Sequence, residues 1–128
     1  MELSTVDNSL AITIIQGDSY SFKMELYEDE TNQIPVDLTG FNLVLRVSQS
    51  FKSPAIVTLR EGAGLTVTQT TDLTTVEIDF SIQNTTPMKP GEYVYQLEYY
   101  DGLPDGSTRT FNRTFVNSTL TILEQVKA

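Results

Sequence analysis

An all-β sandwich is the fold this sequence predicts, and three observations carry the expectation. Apolar and polar side chains alternate through most of the chain. Clusters of Gly, Pro, Asn and Asp interrupt the alternation at roughly 8–12-residue spacing, and no stretch longer than about ten residues repeats its apolar positions at helical period. About eight strands, paired antiparallel in two sheets, account for the pattern. A single domain over residues 1–128 suffices, because a chain of 128 residues buries roughly two thirds of its unfolded surface. Short arms, Met1–Ser9 and Glu124–Ala128, flank it and are candidate contact segments.

Leu10–Ile15 reads as the first strand, closed by the Gln16-Gly17-Asp18 break. Tyr20, Phe22, Met24 and Leu26 then share one face while Ser19, Ser21, Lys23 and Glu25 share the other, which is the pattern of a half-buried strand. The Gly-Asp break allows these two strands to belong to different sheets. Glu28-Asp29-Glu30-Thr31-Asn32 is an acidic, solvated tip, and Ile34–Gly40 is an extended connector punctuated by Pro35 and Gly40. Phe41, Leu43, Leu45 and Val47 alternate with Asn42, Val44, Arg46 and Ser48; Val44 makes the second face partly apolar, so this strand is expected at the centre of a sheet.

Ser50–Pro54 ends it, and Ala55–Arg60 is a short strand before the Glu61-Gly62-Ala63-Gly64 turn. Leu65–Thr70 and Val76–Ile82 form a hairpin around Thr71–Thr74. Gln83–Gly91 is a crossing loop into Glu92–Tyr100, a strand with aromatic residues on its odd positions. After the Asp101–Gly106 turn comes an extended run from Thr108 to Leu123. Its apolar phase shifts between Phe111/Phe115 and Val116/Leu120/Ile122, which predicts a β-bulge near Phe115-Val116.

Composition narrows the chemistry. Without cysteine there is no disulfide, thiolate nucleophile or sulfur-ligated metal; without histidine the commonest general base and transition-metal ligand is missing. Eight basic against 17 acidic residues give a net charge of −9, which repels a phosphate backbone, so nucleic acid is not an expected partner. Met1–Asp7 has neither a basic leader nor an apolar stretch, and ~18 apolar residues never run together, so neither a signal peptide nor a membrane span is expected. The acidity reads as solubility, in a protein made in a cytoplasm.

Four groups of residues are candidates for chemistry. Glu28, Asp29 and Glu30 are consecutive loop acids and point into water, unlike a catalytic pair with split environments. Asp101-Gly102-Leu103-Pro104-Asp105-Gly106 has two Asp-Gly pairs that suit Ca²⁺ in part, but the ligand count falls short and turn chemistry accounts for both. Three N-x-[ST] triplets, at Asn84, Asn112 and Asn117, reflect threonine abundance in a chain without a leader. Gly91-Glu92-Tyr93-Val94-Tyr95 matches the tyrosine corner of immunoglobulin-like sandwiches, with Tyr95 where antibody domains place their second cysteine. Tyr99 and Tyr100 offer a stacking surface of which alternation turns only one outward. No catalytic, cofactor-binding or metal-binding residue is assigned, no cofactor is expected, and the chain is not expected to be an enzyme.

Ile12–Phe22, Val36–Phe41 and Leu45-Arg46-Val47 together resemble the start of small β-sandwich domains in tailed-bacteriophage structural proteins, and Pro90–Glu98 is similar to a late strand of the same group. That group includes N-terminal domains of baseplate upper proteins and related tail and neck proteins. The resemblance implies a non-enzymatic virion component, assembled in the bacterial host cytoplasm, whose partners are other virion proteins or copies of itself. Baseplate members continue into a fibre or receptor-binding region, whereas this sequence ends at Ala128. The expectation is therefore an adaptor, collar, tail or capsid-decoration protein. The alternative is a carbohydrate-binding module, which six tyrosines favour and the absence of tryptophan disfavours. Sugar binding predicts a solvent-facing aromatic row; assembly predicts apolar patches.

Overall fold

A computed structural model describes residues 4–5, 11–29, 31, 34–103 and 105–125. The elements in chain order are β1 (Ser4–Thr5), β2 (Ile12–Ile15), β3 (Tyr20–Asp29), β4 (Ile34–Pro35), β5 (Asn42–Ser48), β6 (Ala55–Glu61), β7 (Gly64–Gln69), β8 (Thr74–Phe80), α1 (Ile82–Thr85), β9 (Gly91–Tyr100) and β10 (Asn112–Leu123). Ten strands replace the expected eight. The two additions, β1 and β4, have two residues each and both pair with β3, too short for alternation to reveal them.

Hydrogen bonding links the strands in the order β1-β3-β8-β7-β6-β5-β9-β10-β2. The β6–β7 link is only two pairs long, Arg60 with Gly64 and Glu61 with Leu65, and marks the corner between two sheets. One sheet is β1-β3-β8-β7; the other is β6-β5-β9-β10-β2. In immunoglobulin lettering these are A-B-E-D and C′-C-F-G with a split first strand beside G, so the domain is an immunoglobulin-like sandwich.

The sheets are mixed, where purely antiparallel pairing was expected. β2 runs parallel to β10, from Ile12 beside Leu120 to Ile15 beside Leu123, and the β6–β7 corner is also parallel. The first follows from the Gln16-Gly17-Asp18 break: with Gly17 at φ +85°, the chain leaves β2 and crosses to the other sheet instead of turning back as a hairpin.

Inward positions of both sheets meet in one cluster: Met24 and Leu26 from β3, Val76 and Ile78 from β8, Leu45 and Val47 from β5, Tyr95 and Leu97 from β9, Leu120 and Ile122 from β10. Tyr95 is fully buried in this cluster, filling with a ring the place a disulfide takes in antibody domains. Val44 is fully buried although it faces away from the sandwich interior, as suits a central strand.

The bulge lies where the phase shift placed it. The β9–β10 register slips between Thr114 and Val116, and the extra residue, Phe115, is buried with its ring stacked on Tyr99 at 4.8 Å and 17°. The crossing loop contains a helical turn. Ser81 ends the preceding strand early by capping α1: its hydroxyl accepts from the Asn84 amide while the Asn84 side chain accepts from the Ser81 amide. Glu28 and Asp29 belong to β3 and not to a loop; Glu30 and Asn32 lie outside the described residues. Of the expected arms, Ser4–Thr5 form β1 and Glu124–Gln125 follow β10, the remainder lying outside the described residues.

Candidate functional site

The tyrosines are structural. Tyr93 donates its hydroxyl to the Lys89 carbonyl at 2.6 Å, closing the tyrosine corner where the crossing loop enters β9. Tyr99 sits among Phe41, Phe111 and Phe115 with ring centroids 5.1, 5.3 and 4.8 Å away, and burial pushes its phenol pKa up. Alternation turns Tyr100 outward, yet it is 1% exposed. The Arg109 guanidinium lies 4.3 Å over its ring and Arg60 donates to its hydroxyl at 2.8 Å. Of six tyrosines, five are buried and Tyr20 is partly buried against Phe22, so they build no exposed stacking row.

Both turn aspartates anchor backbone. Asp101 accepts from the Thr110 hydroxyl and from the Thr110 and Phe111 amides, at 2.7 and 2.8 Å for the amides. Asp105 accepts from the Ser107 amide at 2.8 Å. These bonds hold both carboxyls below the usual range, the Thr110 hydroxyl acting most strongly on Asp101 and the Ser107 amide on Asp105. Among the described residues no group of three potential ligands is placed to hold a metal ion. The three Asn-x-Ser/Thr asparagines are engaged in the fold. Asn84 caps α1, Asn112 donates to Glu98 at 3.0 Å and accepts from Arg109 at 3.1 Å, and Asn117 accepts from Gln96 at 3.3 Å.

The outer face of the β6-β5-β9-β10 sheet holds a cluster that the sequence did not reveal. Arg46 on β5 pairs with Glu98 on β9, a buried acidic residue that Asn112 also supports. Arg60 and Arg109 converge on Tyr100, two residues further along β9. Burial lowers the Arg46 pKa, and the positive charges of Arg109 and Arg60 add to the effect. Three of the chain's four arginines thus meet here from separate stretches. The available signal was local: an outward arginine between Val44 and Val47 on a central strand needs an acidic neighbour.

The edge of this sheet carries a second feature. Beyond the two corner pairs, β6 has no strand on its outer side among the described residues. The open stretch, Ala55-Ile56-Val57-Thr58-Leu59, is uncharged and rich in β-branched residues. Beside it is a depression of about 360 Å³ lined by Ile56, Val57, Pro87, Met88 and Tyr93 together with Gln49 and Lys89. Ile56 is 50% exposed, and Phe51 in the adjoining β5–β6 connection 53%.

No protein-family model matches this chain, and no curated protein matches it. Among solved structures, the GspB Siglec domain is similar in fold, with a TM-score of 0.52 and 15% identity over 99% of this chain. This chain spans 60% of that structure's length. Two others are less alike. AggA, the major subunit of aggregative adherence fimbriae type I from Escherichia coli, has a TM-score of 0.45 and 11% identity, covering 94% of each chain. The fibronectin(III)-like modules of Clostridium thermocellum CbhA have a TM-score of 0.42 and 8% identity, covering 97% of this chain and 99% of theirs.

Proposed function

We propose that this chain is a non-enzymatic structural protein of a tailed-bacteriophage particle, a tail, neck or capsid-decoration component that docks onto neighbouring virion subunits. The open β6 edge beside its apolar depression carries the reading. An unpaired edge presents amides and carbonyls that a strand from another chain can satisfy, and an adjacent depression can take one of that strand's side chains. Monomeric proteins blunt such edges with charge, and Ala55–Leu59 has none. The phage assignment itself comes from the resemblance of Ile12–Phe22, Val36–Phe41, Leu45–Val47 and Pro90–Glu98. The sugar-binding alternative needs an exposed aromatic row, which the buried tyrosines do not supply.

Co-sedimentation of the purified chain with particles, tails and capsids from its source tests the reading. We expect binding in a fixed ratio, lost in Ile56→Lys, which places a charge on the open edge. A chain that ignores every particle component yet is retained on a glycan array overturns the reading in favour of sugar binding.

A further inference from the structure

The loop between Tyr100 and Asn112 is fixed more firmly than a surface connection requires. Asp101 accepts from the Thr110 hydroxyl and from the Thr110 and Phe111 amides, and the Asn42 side chain donates to the Gly102 carbonyl at 3.0 Å. Gly102 lies so near the Ser107 carbonyl that an added Cβ would be 2.7 Å from its oxygen. Thr108 is held at φ +59°, a left-handed conformation that costs a β-branched residue energy and persists only where surrounding bonds impose it. What these bonds fix in place is Leu103. Its amide donates to the Ser107 carbonyl at 3.2 Å and its carbonyl accepts from the Gly106 amide at 2.9 Å, yet its side chain is 54% exposed. Of the charged groups in the loop, Asp101 is enclosed by its three bonds and Arg109 is turned back over Tyr100 and onto Asn112. That leaves the exposed Asp105 carboxylate, in the same turn as Leu103.

We propose that Leu103 is an anchor that seats in the depression beside β6 of a second copy of this chain, with Asp105 against Lys89. This names the occupant of that depression and so rests on reading it as a docking site. Ile56, Val57, Pro87, Met88 and Tyr93 give the depression apolar walls, and its volume of about 360 Å³ admits a leucine side chain. Among the described residues that line it, Lys89 alone is charged. Lys89 is exposed, and its carbonyl is fixed by the Tyr93 hydroxyl. Glu92, the next acid along the chain, does not line the depression. Asp105 gives one carboxylate oxygen to the Ser107 amide, and an ionised carboxylate keeps acceptor sites on the other. Distance excludes the contact within one chain. The depression lies at the start of β9 and Leu103 past its end, and ten strand residues at about 3.3 Å each put roughly 30 Å between them. The contact is therefore heterologous: each added copy still offers one free loop and one free depression, so copies build a ring or a filament. A leucine whose backbone is already fixed loses little freedom on docking, and the exposed Ile56 and Phe51 extend the apolar surface that receives it.

Sedimentation velocity of the full chain and of two variants tests it. We expect the wild type to associate with rising concentration, and Leu103→Ala and Lys89→Glu each to weaken association about tenfold or more, an effect of about 1.4 kcal/mol. Leu103→Ala keeps the depression and Lys89→Glu keeps the loop. An equimolar mixture of the two therefore forms a one-to-one pair and grows no further, and in ¹⁵N-labelled Leu103→Ala the amides of Val57, Met88 and Lys89 shift when unlabelled Lys89→Glu is added. Both substituted side chains are exposed, and circular dichroism checks that the variants fold. A wild-type chain that stays monomeric up to about 1 mM overturns the proposal. So does an association that neither variant changes, or a mixture no better than its components. Co-sedimentation with particle components is read separately. A monomeric chain that still co-sediments, and loses that binding in Ile56→Lys, overturns this inference alone; a self-associating chain that ignores every particle component overturns the virion reading alone.

Discussion

Replacing Arg46 by Met while leaving Glu98 in place removes the guanidinium from a carboxylate whose side chain is only 9% exposed. Asn112 remains as a donor at 3.0 Å, but one neutral amide does not compensate a buried charge. Breaking one half of a buried ion pair costs about 3–5 kcal/mol. The Arg46 side chain is 32% exposed, so water reaches this site and the lower end, about 3 kcal/mol, applies. The reverse change, Glu98→Gln, is milder at about 1–2 kcal/mol: the amide keeps the shape and one acceptor, and Arg46 can turn toward solvent. The double variant Arg46→Met/Glu98→Gln removes both charges and should fall within about 1 kcal/mol of the parent. The coupling between the two sites is then about 3–5 kcal/mol. Urea unfolding of all four proteins gives these differences, and thermal melting repeats them at roughly 3–5 °C per kcal/mol for a chain of this size. The reasoning is refuted if Arg46→Met is no worse than Glu98→Gln, or if the double variant loses the sum of the two.

Three further outcomes are expected. Tyr93→Phe leaves the Lys89 carbonyl without its donor and lowers stability by about 1–2 kcal/mol with the urea slope unchanged; an unmoved midpoint would falsify a stabilising role for the corner. Gly64→Ala, at φ +106° and with the new Cβ 2.7 Å from a Leu59 methyl, loses more stability than Gly40→Ala, at φ +80° with nothing within 4 Å. Equal losses would show that the corner is not closely packed. Asp101 has a lowered folded pKa, so its contribution is present above the unfolded value of about 3.9 and is lost as pH falls through the lower folded value. Amide protection at Thr110 and Phe111 should persist through about pH 3.9 and disappear only below it. Loss of protection already at about pH 5, a unit above the unfolded value, contradicts the bonding described.

Period-two alternation was enough to locate the inward faces of β3, β5, β8 and β9, because each is half-buried and a one-residue slip would expose its whole apolar set. The β10 bulge was legible for the same reason: within one continuous strand, an extra residue is what moves the apolar set from the phase of Phe115 to that of Leu120. Parallel pairing of β2 was not legible, since alternation does not encode which neighbour a strand adopts. The cap of α1 was written in Ser81 and Asn84, but one helical turn leaves no periodicity. Tyr100 illustrates the larger limit. Its backbone register faces it outward, and Arg109 on the following loop, with Arg60 on another strand, encloses it. The arginine cluster and the open edge are likewise products of strand order, which brings β6, β5 and β9 side by side.

The parallel β2–β10 pairing also determines how the domain responds to pulling. Tension arriving before Ile12 and leaving after Leu123 draws these neighbouring strands in opposite directions along their own length. Their four register pairs are loaded together, in shear, instead of opening one at a time as in a hairpin pulled from its ends. A link in a particle that experiences mechanical stress would benefit from that geometry. Single-molecule extension should show a distinct rupture event, and Ile14→Pro, which disrupts β2 in the middle of its pairing, should lower the force at which it occurs. An unchanged rupture force in that variant would assign the mechanical resistance to another part of the sandwich.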